Sequence, residues 1–306
     1  MLAVKTFNSD QDVFRRSMRL MGSNFEISVV GHDAVRAGQC IDIASAEITR
    51  VEKLLSAFND DSPINEINRN AGIKPVKASA EIFRLIERSL SISDLTQGTF
   101  DISYNVPDAE TVHEDKQPVK LTSYKQVILD PEKTTVFLKE KGMRIGFSAV
   151  SKGYASDRAK YILQMAGVSS GVINADGDLL TWGLKPDGLP WTIASADPEQ
   201  ESQPYARINI SNMAVAKSGN LAAGDIAGQP QKVPGADSKK DCPDGILKSV
   251  SVVSPSAELS DAMATPVMQM GVNAGLCFID RLQQLACVII DDHDHVYTSR
   301  EIDYLA

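Results

Sequence analysis

The stretch Ser249-Val-Ser-Val-Val-Ser-Pro-Ser-Ala-Glu-Leu-Ser-Asp-Ala-Met-Ala-Thr265 decides how the rest of this 306-residue chain is read. Its first part, Ser249 to Val253, alternates as a strand does, and Pro255 ends the alternation. A helix is predicted to begin near Ala257, and on it Asp261 and Thr265 stand four residues apart, on one face. A carboxylate and a hydroxyl stacked one turn apart are two hard oxygen donors, the kind Mg²⁺ takes when it also holds phosphate. The same spacing also suits a solvent-facing aspartate beside a threonine bonded back to the preceding turn.

Working outward, the segment Gly142-Met-Arg-Ile-Gly-Phe-Ser-Ala-Val-Ser-Lys-Gly-Tyr-Ala155 reads as an apolar strand, a turn of small residues and the start of a helix. Small side chains at such a junction let backbone N–H groups approach an anion, and the positive end of the helix dipole favours one there. Lys152 adds a full charge at the same place. An ordinary strand-to-helix connection with a surface lysine has the same pattern.

Further blocks accompany these two. They are Met21-Gly22-Ser23, Leu55 to Ser62 with Glu66 to Arg69, Thr96 to Ile102, Asn174-Ala-Asp-Gly-Asp178 and Ser218-Gly-Asn220. With Ser151 to Ala155 and Asp261 to Thr265, seven blocks follow one another from about Phe14 to about Ile302 as they do in a known family. The chain resembles the FAD:protein FMN transferases, the ApbE-like family.

That resemblance implies an α+β fold of mixed, mostly antiparallel sheets flanked by helices, with a flavin cleft between two lobes. It implies a single ApbE-like domain over 12–303 behind an N-terminal tail, 1–11. The implied reaction moves FMN from FAD to a threonine of an acceptor protein and releases AMP, with Mg²⁺ held by the Ala149 carbonyl, the Asp261 carboxylate and the Thr265 hydroxyl. Flavin contacts would come from Met21, Phe58, the Thr99-Phe100-Asp101 turn and Lys152. Phe58 stands where relatives often have tyrosine, and it can stack but not hydrogen-bond.

The chain also departs from the family. Gly146 replaces a frequent aspartate. The segment Asn105 to Thr122, a loop by composition, is shorter than the family's covering loop. After Ser218-Gly-Asn220 the family carries an aromatic residue and a His-x-x-Asp-Pro motif; here Leu221, Pro234 and Ser238 replace the aromatic, the histidine and the proline. Asp237 alone remains, as the candidate catalytic base. Proline cannot move a proton, so general acid–base help of about 10²–10⁴-fold is at stake. A degenerate FAD-binding protein or slow FAD pyrophosphatase is therefore the second reading, and a non-flavin exported binding or scaffold protein the third.

Composition narrows the classes. Hydrophobic residues make up 43% and charged residues 23%, the balance of a globular protein, and the net charge of −9 argues against a nucleic-acid binder. No apolar stretch nears the roughly 20 residues that span a bilayer, so no transmembrane segment is expected. The family is mostly exported, which implies a periplasmic or membrane-anchored protein whose leader has been removed. The N-terminus shows neither a basic nor an apolar leader region, and a cytoplasmic location is the alternative. Cys40, Cys277 and Cys287 lie in apolar patterns and read as small core residues, while Cys242 lies in a polar loop.

Along the chain, strands are predicted over Met18–Met21 and Phe25–Val30, then a long helix from Ala34. Ser62 and Pro63 mark the start of a short helix, and a further helix runs from about Ser79 to Leu95. Strands follow at Tyr124–Leu129, Thr135–Lys139 and Met143–Phe147, then a helix over Ser151–Met165 and strands at Gly171–Asn174, Leu179–Trp182, Trp191–Ala194, Tyr205–Ile210 and Met213–Ala216. Gly224–Gly245 reads as a long Gly/Pro-rich loop. The turn Asp291-Asp-His-Asp-His295 reads as solvated. Short strands and long helices without βαβ alternation favour α+β.

Overall fold

The computed structural model describes residues 11–57, 59–105, 122–197, 200–219, 247–300 and 304–305. The chain divides into two compact units, Met1–Ile48 with Lys152–Ala306, and Thr49–Ser151. In chain order the first elements are β1 (Asp12–Leu20), β2 (Ser23–Gly31) and α1 (Ala34–Leu55). There follow α2 (Pro63–Arg69), β3 (Val76–Lys77), α3 (Ala80–Leu95), β4 (Ser103–Asn105), β5 (Val127–Asp130), β6 (Thr135–Leu138) and β7 (Met143–Ile145). The chain continues through α4 (Ser151–Met165), β8 (Gly171–Ala175), β9 (Asp178–Trp182), β10 (Thr192–Asp197), β11 (Gln200–Asn209) and β12 (Ala214–Gly219). Last come β13 (Leu247–Ser254), α5 (Ala257–Ile279), β14 (Ala286–Asp291), β15 (Val296–Thr298) and β16 (Tyr304–Leu305).

The larger unit is built on an eight-stranded sheet in the order β1-β2-β8-β9-β12-β13-β14-β15, every pairing antiparallel. A three-stranded sheet, β10-β11-β16, accompanies it. The β1–β2 hairpin turns on Met21 (φ 52) and Gly22 (φ 73), two successive left-handed residues, as the tight turn matching strand twist requires. Met21 is therefore a turn residue, not the end of a strand, and β1 begins earlier than the apolar pattern suggests because its outer positions are the polar Arg15, Ser17 and Arg19. Phe25, Ile27, Ile173, Leu180, Trp182, Val250, Val252 and Ile289 are almost wholly buried along the sheet. Ile193, Ile210, Val215, Val253 and Val288 form a second apolar cluster that joins β10 to the main sheet.

Helix α5 packs on β9, β12, β13 and β14. Among the described residues it alone is long and apolar enough to cross a membrane, yet half of its most apolar window is buried in the fold, as in a core helix. It is broken at Gly271 (φ 79, ψ −179). Beyond the break the buried positions are Val272, Gly275 and Ile279, so Cys277 falls off that face and is exposed. Cys40 and Cys287 are buried as expected; Cys242 lies outside the described residues.

In the smaller unit, Ser62 caps α2 by accepting the Asn65 N–H at 3.1 Å, with Pro63 in the first turn, and Ser79 caps α3 through the Ile82 N–H at 3.3 Å. Asn68 fastens α2 to β7 by donating to the Ile145 carbonyl at 3.0 Å and accepting its N–H at 2.8 Å. The predicted strand at Tyr124 is corrected: Tyr124–Gln126 is a 3₁₀ turn, held by a capping box between Ser123 and Gln126, and the strand starts at Val127. Of the loops read from sequence, 106–121 and Gly224–Gly245 lie outside the described residues.

Candidate functional site

The Lys152-Gly153 pair and Asp261 meet because α4 and the start of α5 lie against each other in the larger unit. A side chain at Gly153 would place its Cβ 2.4 Å from the Ala257 carbonyl oxygen, closer than any Cβ sits, so only glycine permits this approach. One turn further on, Asp157 serves the N-terminus of α5. Its carboxylate accepts the Ala257 N–H at 3.0 Å, the Glu258 N–H at 2.9 Å and the Ser256 hydroxyl at 2.8 Å. A carboxylate at that end of a helix meets both unpaired N–H groups and the positive dipole. Ser256 adds its own cap, accepting the Leu259 N–H at 3.3 Å.

With the helices so placed, Gly153 donates its N–H to Asp261 Oδ2 at 3.2 Å. Burial, then the charge of Asp178, push the Asp261 carboxyl up to about 7, against the pull of the Gly153 N–H and Lys152. Lys152 Nζ stands 3.4 Å from Asp178 Oδ2, both side chains mostly shielded. Asp178 Oδ1 also accepts the Lys217 N–H at 3.0 Å. Thr265 is exposed on α5, with its Oγ1 3.4 Å from Ser218 Oγ. Lys152, Gly153, Asp178 and Asp261 share the wall of a small cavity of about 10 Å³. Met21 belongs to the same end of the sheet: Phe25 pairs with Ala175, and the Asp176 N–H donates to the Asn24 carbonyl at 2.9 Å.

The donor chemistry here suits a divalent cation. Asp261 is a carboxylate whose charge is only partly compensated, Thr265 offers a hydroxyl from the same helix face, and both are hard oxygens. The larger unit thus gathers Lys152, Asp261 and Thr265, with Met21 at the same sheet end. Ala149 belongs to the smaller unit, in the exposed turn three residues before Lys152 along the chain.

Thr99, Phe100 and Asp101 are also in the smaller unit. Thr99 is exposed and Phe100 is buried, its N–H donating to Thr96 Oγ1 at 3.1 Å. Asp101 accepts the Ser103 N–H at 2.7 Å and the Tyr124 N–H at 2.9 Å, so one oxygen braces its own turn and the other ties it to the start of the 3₁₀ turn at Tyr124. Phe58 and Asp237 lie outside the described residues, as do Asn220, Leu221, Pro234 and Ser238.

Two residues of this constellation were not singled out by sequence reasoning. Asp178 sits at the end of the Asn174-Ala-Asp-Gly-Asp178 block, where Asp176 and Gly177 (φ 58 and φ 96) turn β8 into β9. That turn signal was visible; its carboxylate's partners, on α4 and β12, were not. Asp157 likewise caps a helix 99 residues further along the chain. In the histidine-rich turn, read from sequence as solvated, Asp291 is buried and accepts the N–H groups of His293 and His295 at 2.9 Å each, and the His295 ring and Tyr297 hydroxyl at 3.0 Å each, while Asp294 pairs with Lys248 of β13 at 2.6 Å.

An antiparallel eight-stranded sheet on which α4, α5, β9 and β12 bring together a lysine, two carboxylates and a threonine defines an α+β protein with a candidate anion- and cation-binding site. The same fold occurs in the solved ApbE protein of Thermotoga maritima (TM-score 0.76, 21% identity, 94% of this chain and 97% of that one). It occurs as well in the flavin transferase ApbE of Vibrio cholerae (TM-score 0.75, 21% identity, 95% and 98%). The ApbE family profile matches residues 21–289, and the chain belongs to the ApbE family. Curated relatives include the FAD:protein FMN transferase of Klebsiella pneumoniae strain 342, 26% identical over 307 residues and covering 95% of this chain and 93% of that protein. That of Escherichia coli K12 is 24% identical over 270 residues, covering 83% and 77%.

Proposed function

We propose that this protein is an Mg²⁺-dependent FAD:protein FMN transferase, acting as one functional unit over 12–303. The observation that carries the reading is the Lys152–Asp178–Asp261–Thr265 constellation inside a family whose curated relatives bear that name. In the reaction the acceptor threonine Oγ forms a bond to the flavin-side phosphorus of FAD. The bond from that phosphorus to the bridging oxygen breaks, AMP leaves with the electron pair, and the threonine proton passes to a base. Lys152 supplies a fixed positive charge to the pyrophosphate. Asp261 and Thr265 are the side chains that would hold Mg²⁺, with the Ala149 carbonyl as third donor. When bound, the metal neutralises charge that builds on the phosphate oxygens. Asp237 is the residue for the proton, and Met21, Phe58, Thr99, Phe100 and Asp101 are the flavin contacts. A periplasmic or membrane-anchored location follows from the same family reading.

A specific observation favours slow turnover. At Gly146, where the resemblance implies a frequent aspartate, an added Cβ would lie 3.1 Å from the Tyr104 ring, so a side chain there would require Tyr104 to shift by a few tenths of an ångström. Together with Pro234 in the histidine position, this supports a transferase whose proton transfer is weak and whose FAD binding is intact. The test is thermal denaturation with FAD, with and without Mg²⁺. A ligand that binds only the folded state raises Tm by mass action. FAD with Mg²⁺ should raise Tm by several degrees and FAD with EDTA by much less; no shift under either condition would reject a flavin-nucleotide site.

A further inference from the structure

Asp178 links three elements of the site. It opens β9, accepts the Lys217 N–H of β12 at 3.0 Å through Oδ1, and holds Lys152 of α4 at 3.4 Å through Oδ2. The strand it binds carries Ser218, whose hydroxyl lies 3.4 Å from that of Thr265. Asp178 and Asp261 flank the same small cavity, and the Asp178 charge is felt by Asp261. A lysine that is both paired and mostly shielded has lost much of its rotamer freedom before any ligand arrives.

We propose that Asp178 is a positioning residue of the transferase site, fixing the Lys152 ammonium and the Lys217–Ser218 strand end beside Asp261 and Thr265 while adding a second negative charge that favours a divalent cation. The proposal rests on the flavin-transferase reading given above. It predicts different effects on two ligands. A negative charge beside the cavity attracts Mg²⁺ and repels phosphate, so neutralising it weakens the first, while for the second the relief of repulsion and the freed Lys152 charge offset the lost pre-ordering. A residue that merely supports the fold would weaken both.

The experiment compares wild type, Asp178→Asn, Asp178→Glu and Asp261→Ala by isothermal titration. One series titrates FAD with Mg²⁺ removed by chelator; the other finds the Mg²⁺ concentration that half-saturates FAD binding. Asp178→Asn should need about fivefold more Mg²⁺, the size of one partly shielded charge interaction. Its metal-free FAD affinity should stay close to that of wild type, and Asp178→Glu should restore most of the Mg²⁺ response. Unchanged Mg²⁺ dependence in Asp178→Asn, or an equal loss in both series without rescue by glutamate, would overturn the role of Asp178. If wild type takes up no FAD, or Asp261→Ala matches wild type in both series, the underlying site reading fails and the proposal with it.

Discussion

A carboxylate drawn out of water keeps its proton unless positive charge compensates it, and Asp261 is placed in that way. The single substitution Asp261→Ala removes one donor and the partner of the Gly153 N–H, and leaves the Asp157 and Ser256 caps of α5 in place. It should abolish the Mg²⁺-dependent part of FAD binding with little change in the circular dichroism spectrum; equal FAD affinity in mutant and wild type at saturating Mg²⁺ would remove the metal role. Asp291 shows the opposite balance. Burial pushes its carboxyl up, but the bonds from His295, His293 and Tyr297 outweigh that and hold it down at about 2, from an ordinary 3.8. A depressed carboxylate stabilises the fold above its unfolded value, and that stabilisation is lost as pH falls through the folded one. Urea unfolding should therefore find Asp291→Asn less stable than wild type at pH 7, with the gap closing between about pH 4 and about pH 2. A gap that does not change with pH would mean the bonds act independently of charge.

At the scale of elements, local chemistry was readable and long-range chemistry was not. Ser62-Pro63, Ser79 and the strand-to-helix pattern around Pro255 each announce a helix start through residues within a turn of it, and each cap forms. The 3₁₀ turn at Tyr124 carried its own signal, Ser123 followed three residues later by Gln126, which the alternation of the following strand obscured. The reason for Gly153 was hidden. From sequence it suggests close approach of an anion, whereas in the fold it admits the Ala257 carbonyl and turns its N–H to Asp261. Gly153→Ala should thus cost about 1–3 kcal/mol by overpacking backbone against backbone, and should weaken FAD binding along with stability. Asp157→Ala, which strips the far cap from α5, should cost about 1–2 kcal/mol and lower Tm. Calorimetry on both variants checks these values, and a wild-type Tm in either would show that α4 does not hold α5 in place.

For the whole molecule, the resemblance visible in seven short blocks extends to the fold, and the family match runs over residues 21–289. The α+β class was legible because short strands and long helices recur along the chain without βαβ alternation, while the antiparallel arrangement was implied by the family resemblance alone. The candidate site was legible only in part. Asp261, Thr265 and Lys152 stand in recognisable motifs, but the ion pair that links Lys152 to β9 joins residues 26 positions apart and has no spacing rule of its own.

Transfer of FMN to a threonine is measured in one assay. The protein is incubated with FAD, Mg²⁺ and a peptide carrying a flavinylation threonine, and covalent flavin is read by in-gel fluorescence beside AMP by chromatography. The expected result is Mg²⁺-dependent covalent flavin with one AMP per flavin, formed about 10²–10⁴-fold more slowly than by a relative that keeps the loop histidine. Neither product at any Mg²⁺ concentration would contradict the transferase reading; turnover equal to that relative's would contradict the meaning given to Pro234 and to Tyr104 beside Gly146.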